Sequence, residues 1–178
     1  MFLLNRSVIL GAVFFIFWTN NSVAEPVGKL APLTSLSKQS LVAEGKTEAD
    51  MLEDIPSKEM VGMPAYPDAY FAGAMGDVDT LSALTLMSKD SAKEIISWYK
   101  KKLGDEWQDV PELAMEDLGE VAVFIKSDKK KISVIDSFKY QQIRISKVEK
   151  PEDTGFAAMV FDVTGIKCMI NMTIKPLM

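Results

Sequence analysis

The 178-residue chain is 48% hydrophobic and 25% charged, has a formal net charge of −5, and contains no histidine and one cysteine. Without an imidazole, Ser-His-Asp and Cys-His catalysis are excluded, and the commonest general base, metal ligand and pH switch are all missing. One cysteine excludes an intramolecular disulfide, and mild acidity argues against nucleic acid or an anionic membrane as the main partner.

Residues 1–24 read as an export signal. Arg6 is their only charge, Ser7 to Trp18 is a twelve-residue apolar run, and Ser22-Val23-Ala24 places small residues at −3 and −1 of a cleavage point before Glu25. A bilayer needs about 20 apolar residues, so cleavage is expected rather than a retained anchor. The expected location is the periplasm or the exterior. Cleavage removes Arg6, leaving 154 residues with 19 basic and 25 acidic side chains, a net charge of −6. That length suits one domain plus a tail.

Residues 25–60 show no sustained periodicity and are interrupted by Pro26, Pro32 and Pro56. They are expected to form a flexible lead-in, with a short helix over Glu48 to Leu52 as the one regular element they could hold. A docking arm is the functional alternative. A single α+β domain is expected over 61–178.

The centre of that domain is Met63 to Trp107. Pro64 and Pro67 stiffen its entry. Tyr70 to Met75 forms a first strand, residues 76–79 a turn, and Thr80 to Met87 a strand with Leu84 and Leu86 on one face. Ser91 and Glu94 match a capping box. Ala92, Ile95, Ile96, Tyr99 and Leu103 then share one helical face, Lys100, Lys101 and Lys102 suit the negative end of the dipole, and Gly104 suits a left-handed stop.

Beyond Trp107 the chain reads as β-rich, with strands expected over 120–126, Ile132 to Phe138, Gln141 to Val148, Phe156 to Val163 and Ile166 to Ile174. The last two are expected to join in a hairpin at Thr164-Gly165. Cys168 falls on the strand face of Ile166, Ile170 and Met172, which predicts a buried, unreactive thiol. The expected fold is α+β, with one main amphipathic helix on an antiparallel sheet of about five to six strands.

There is no phosphate-loop or other cofactor motif, so no cofactor is expected. Asp77 and Asp79 could contribute to a calcium site, but an ordinary acidic turn explains them better. The cluster of Glu116, Asp117 and Glu120 has the same bland explanation. The lysine runs at 100–102 and 129–131 read as a solvated helix end and a solvated turn. Tyr66, Tyr70, Trp98 and Trp107 are the candidate interaction surface, with core or edge packing as the competing explanation.

The stretches Tyr66-Pro67-Asp68-Ala69, Ser88-Lys89-Asp90-Ser91, Trp98-Tyr99, Leu103 and Trp107 resemble a pattern in bacterial exported proteins and lipoproteins of unknown function. There, Tyr-Pro-x-Ala precedes a strand ending Thr-x-Asp-Ser, followed by a helix with Trp/Phe-Tyr, then Leu and Trp. Here Ser88 replaces the Thr, and Asp68 stands where Gly is frequent. The resemblance covers about a quarter of the chain. It implies an α+β fold with one helix on an antiparallel sheet, and no catalytic residues.

The functional expectation is an exported, non-enzymatic domain, monomeric, that binds an envelope protein or a small ligand. After cleavage it is not expected to be an integral membrane protein. The alternatives are a hydrolase using Asp77, Asp79 or Glu120, and a structural or assembly protein of the envelope.

Overall fold

A computed structural model describes residues 24–76 and 79–176, so residues 1–23 of the expected export signal (1–24) and Asp77 lie outside the described residues. In chain order the elements are β1 (Lys29–Leu30), α1 (Ser35–Ala43), α2 (Glu48–Glu53), α3 (Lys58–Val61), β2 (Tyr70–Met75), β3 (Ala83–Ser88), α4 (Ala92–Lys102), β4 (Trp107–Asp109), β5 (Glu120–Lys126), α5 (Val134–Ser137), β6 (Gln142–Lys147), α6 (Ala157–Val160) and β7 (Cys168–Thr173). Short 3₁₀ turns occupy Pro111–Leu113, Glu116–Leu118 and Pro151–Thr154.

The strands form one sheet in the order β1-β2-β3-β7-β6-β5-β4, with β1 parallel to β2 and every other pair antiparallel. The mixed α and β architecture agrees with the sequence. The count does not, because among the described residues seven strands and six helices replace five to six strands and one main helix. The last strand, β7, lies at the centre. It joins the β2–β3 hairpin to the β4–β5–β6 meander.

Helix α4 carries the chain from β3 across one face to the edge strand β4. Its start is the expected capping box: the Ser91 hydroxyl accepts from the Glu94 N–H at 3.4 Å, and the Glu94 carboxylate accepts from the Ser91 N–H at 2.8 Å. Ile95 and Tyr99 are completely buried, against a layer that includes Leu84, Leu86, Phe124, Ile143, Ile145, Cys168 and Ile170. The helix ends differently from expectation. Leu103 leaves in an extended conformation (φ −76°, ψ 139°) and turns into the core, so Gly104 is not a left-handed cap.

Two expected strands are helices. Over Ile132 to Phe138, Ser133 caps α5 by accepting from the Asp136 N–H at 3.1 Å, and this local cap overrides the β-propensity of Ile132, Val134 and Ile135. Over Phe156 to Val163, Ala157 and Phe161 are buried four residues apart, a helical spacing. Thr164-Gly165 therefore belongs to the link into β7 rather than to a hairpin. The links missed altogether are the short edge strands β1 and β4.

Residues 25–60 contact both faces of the sheet. Val27 and Ile55 join the layer under α4, while Ala31 and Leu33 join the opposite layer with Met87, Phe161 and Met169. The chain crosses the sheet edge at β1, where Gly28 sits so close to β2 that an added Cβ would be 3.1 Å from the Phe71 nitrogen. Apolar positions that serve alternate layers in this way have no constant period. The short helix expected over Glu48 to Leu52 is α2.

Replacing Ile95 by Ala should cost about 2–5 kcal/mol. Replacing the exposed Lys101 should stay within about 0.5 kcal/mol. Equal urea midpoints for the two variants would contradict the placement of the helix.

Cys168 is buried under α4, and burial pushes its thiol from 9.0 to about 11. The native protein should therefore label slowly with a thiol reagent and rapidly in denaturant. The raised value also fixes a sign. Above about pH 9 the unfolded chain releases a proton that the folded chain keeps, so this group's contribution lowers stability between about pH 9 and about pH 11. Rapid labelling of the native protein would contradict the burial.

Candidate functional site: an open cleft on the second face of the sheet

The face away from α4 is covered at its two sides only. On one side α1, α6 and the β1 segment cover Met87 and Met169. On the other, the chain around residues 110–114 with Ile132 and Tyr140 covers Val123 and Ile125. Between them the register aligns Gly73 with Thr85, Thr85 with Asn171, and Ala83 with Thr173. These side chains are small or short and polar, and they are only partly buried. The Thr85 hydroxyl donates to the Asn171 Oδ1 at 2.9 Å, which ties the floor across β3 and β7.

The result is an open cleft of about 1080 Å³. Ala72, Thr85, Ser146, Met169 and Asn171 line its floor. Glu116, Asp117 and Leu118 reach it from the turn before β5, and Glu149, Asp153 and Phe156 from the segment after β6. Three large apolar residues stand exposed on its lining: Met75 at 67%, Leu118 at 65% and Phe156 at 71%.

One wall is anchored by a buried ion pair. Arg144 Nη1 donates to Glu120 Oε2 at 2.7 Å, and the two side chains are 7% and 6% exposed. The rest of the guanidinium is also satisfied: Nε donates to Gln142 Oε1 at 2.9 Å, Nη1 also to the Leu113 carbonyl at 3.3 Å, and Nη2 to the Ser137 hydroxyl at 3.2 Å. The Phe138 ring stacks 5.7 Å from the guanidinium carbon. Glu120 Oε2 also accepts from the Met115 N–H at 2.8 Å. This network fixes the acidic turn at 116–118 to β5, β6 and α5.

The residues expected as an interaction surface do not share one patch. Tyr66 is buried and donates to Asp90 Oδ2 at 2.8 Å; burial, then this bond, pushes its phenol upward. Trp98 packs edge-on against Tyr66 (5.4 Å) and Tyr99 (4.9 Å). Trp107 packs into the same layer from β4. Tyr70 lies on the opposite face with Lys89 5.7 Å above its ring. None of the four lines the cleft. The polar floor residues are legible in the sequence only as odd members of strands: Asn171 among the apolar residues of β7, and Ser146 after Ile145 in β6.

Of the acidic residues considered from sequence, Glu116, Asp117 and Glu120 line the cleft, while the Asp79 backbone carbonyl accepts from Lys175 at 2.7 Å. Among the described residues no cluster of three His, Cys, Asp or Glu side chains could hold a metal ion, and no helix is long and apolar enough to cross a membrane. No protein-family model, curated protein or solved structure matches the chain.

Removing Glu120 alone strands a buried guanidinium, so Glu120→Ala should cost about 3–5 kcal/mol. Replacing both partners with apolar residues (Glu120→Leu with Arg144→Met) should cost less than the two single changes together. Urea denaturation of the parent, Glu120→Ala, the two single variants Glu120→Leu and Arg144→Met, and their combination reads this directly. A Glu120→Ala midpoint equal to that of the parent would show that the pair is not desolvated.

Proposed function

We propose that this chain is an exported, non-enzymatic binding domain of the bacterial envelope, and that the cleft on the face away from α4 holds its partner. The observation that carries the reading is the uncovered sheet floor bounded by Met75, Leu118 and Phe156. Exposed apolar side chains gathered on one concavity mark binding surfaces more often than scattered ones do. The export signal supports the location. The hydrolase alternative is weaker because Glu120, its best-placed acid, is buried and engaged by Arg144 and the Met115 N–H.

Protein recovered from its native host should begin at Glu25 and appear in the periplasmic fraction or the medium. An intact Met1 in the cytosol would end the export reading. In the same cells, a photo-crosslinking amino acid at Leu118 or Phe156 should give adducts that are absent when it replaces Lys101 on α4. Adducts from Lys101 alone would move the binding surface to the helix face.

A further inference from the structure

We propose that the cleft accepts a basic polypeptide segment with interspersed apolar side chains, bound in an extended conformation. This rests on the binding-cleft reading and adds the chemistry of the occupant.

Size and shape come first. Small-ligand sites enclose most of their ligand in roughly 300–1,000 Å³. This cleft is slightly above that range, about 1080 Å³, and open along the sheet face. Its floor carries small residues at Gly73, Ala83 and Thr85, so a chain can lie close to that part of the sheet.

Charge gives the sign. Five carboxylates line the cleft (Glu116, Asp117, Glu120, Glu149 and Asp153) against one cation, Lys147. Arg144 neutralises Glu120. The other four make no ion pair among the described residues, although Asp153 accepts from the Glu149 and Lys150 N–H groups. Lysine and arginine are the side chains that complement such a wall, and complementary charge fixes both the encounter and the choice of partner.

The apolar side chains Met75, Leu118 and Phe156 provide the other half of the recognition. A small polyamine would satisfy the carboxylates and leave these three in water. A basic segment carrying apolar residues meets both demands, with the Thr85–Asn171 pair and Ser146 offering hydrogen bonds between them.

The test is selection from a random displayed-peptide library on the immobilised mature protein, residues 25–178. The comparison proteins are Glu116→Gln/Asp117→Asn/Glu149→Gln, which changes only exposed side chains, and Thr85→Trp, which fills the floor. Circular dichroism melts establish that both are folded. Enriched peptides should be net positive with interspersed apolar residues. Their affinity should fall about tenfold in the charge-neutralised protein, the sum expected of three partly exposed pairs. It should fall with added salt and be lost in Thr85→Trp. Spermine should compete poorly.

Enrichment of neutral or acidic peptides that still depend on Thr85 would overturn the basic assignment and leave the binding cleft standing. Failure to enrich any cleft-dependent peptide, or displacement by spermine at concentrations below the peptide's own Kd, would overturn the polypeptide assignment. The crosslinking result then decides the binding-cleft reading separately.

Discussion

The fold depends on seating α4, and above all Tyr99, on the sheet. Tyr99 is completely buried between Tyr66, Trp98 and Phe124, with ring centroids 6.5, 4.9 and 5.9 Å away. Burial pushes its ionisation upward, with the Tyr66 backbone N–H acting in the opposite direction. Tyr66 closes the cluster from outside and is fixed by its bond to Asp90, whose own N–H donates to the Ser88 hydroxyl at 3.1 Å. Tyr66, Ser88, Asp90, Trp98 and Tyr99, among the residues that carry the sequence resemblance, are thus linked at the corner between β3 and α4, while Leu103 and Trp107 pack farther along the same layer. The work of the corner residues is to set the helix on the sheet.

Asp68 belongs to the same corner. It is the one non-glycine with positive φ among the described residues, at 60°. That explains why glycine suits this position: the left-handed region costs an L-residue, and Asp is among the few that tolerate it. The Lys29 ammonium pairs with the Asp68 carboxylate, so the side chain that glycine would lack ties β1 to the turn entering β2. The pair is exposed, and its contribution is accordingly small.

Sequence periodicity was a good guide wherever an element buries one continuous face. The stripe of α4, the Ile143/Ile145 face of β6 and the Cys168/Ile170/Met172 face of β7 all point into the layer under the helix. It failed where an element is short or serves two layers. Lys29–Leu30 is too brief to show alternation. Ile166 was grouped with Cys168 by spacing, yet it precedes the strand and packs in the opposite layer. Residues 134–137 and 157–160 each form about one turn, so a local cap or two buried contacts decided between helix and strand. The cleft was illegible for a different reason. Its floor, walls and anchoring pair come from β2, β3, β5, β6, β7 and two connecting turns, and only the sheet order brings them together.

That order also explains why the cleft is open. With β7 central, the second face has two half-coverings, each supplied locally by one flank of the sheet. The β1–α1 segment and α6 meet over Met87 and Met169, where the Thr34 N–H donates to the Val160 carbonyl at 3.0 Å. The chain around residues 110–114, with Ile132 and Tyr140, closes over Val123 and Ile125 and is secured through Arg144. Neither covering reaches Thr85, Asn171 and Thr173. An apolar strip there would drive the sheet to pair with another copy or to collapse, whereas short polar side chains bonded to each other can face water at little cost. The polar centre of the second face is therefore what lets the protein keep a sheet surface exposed between two finished layers, and the buried Arg144–Glu120 pair is what holds the acidic edge of that opening in place.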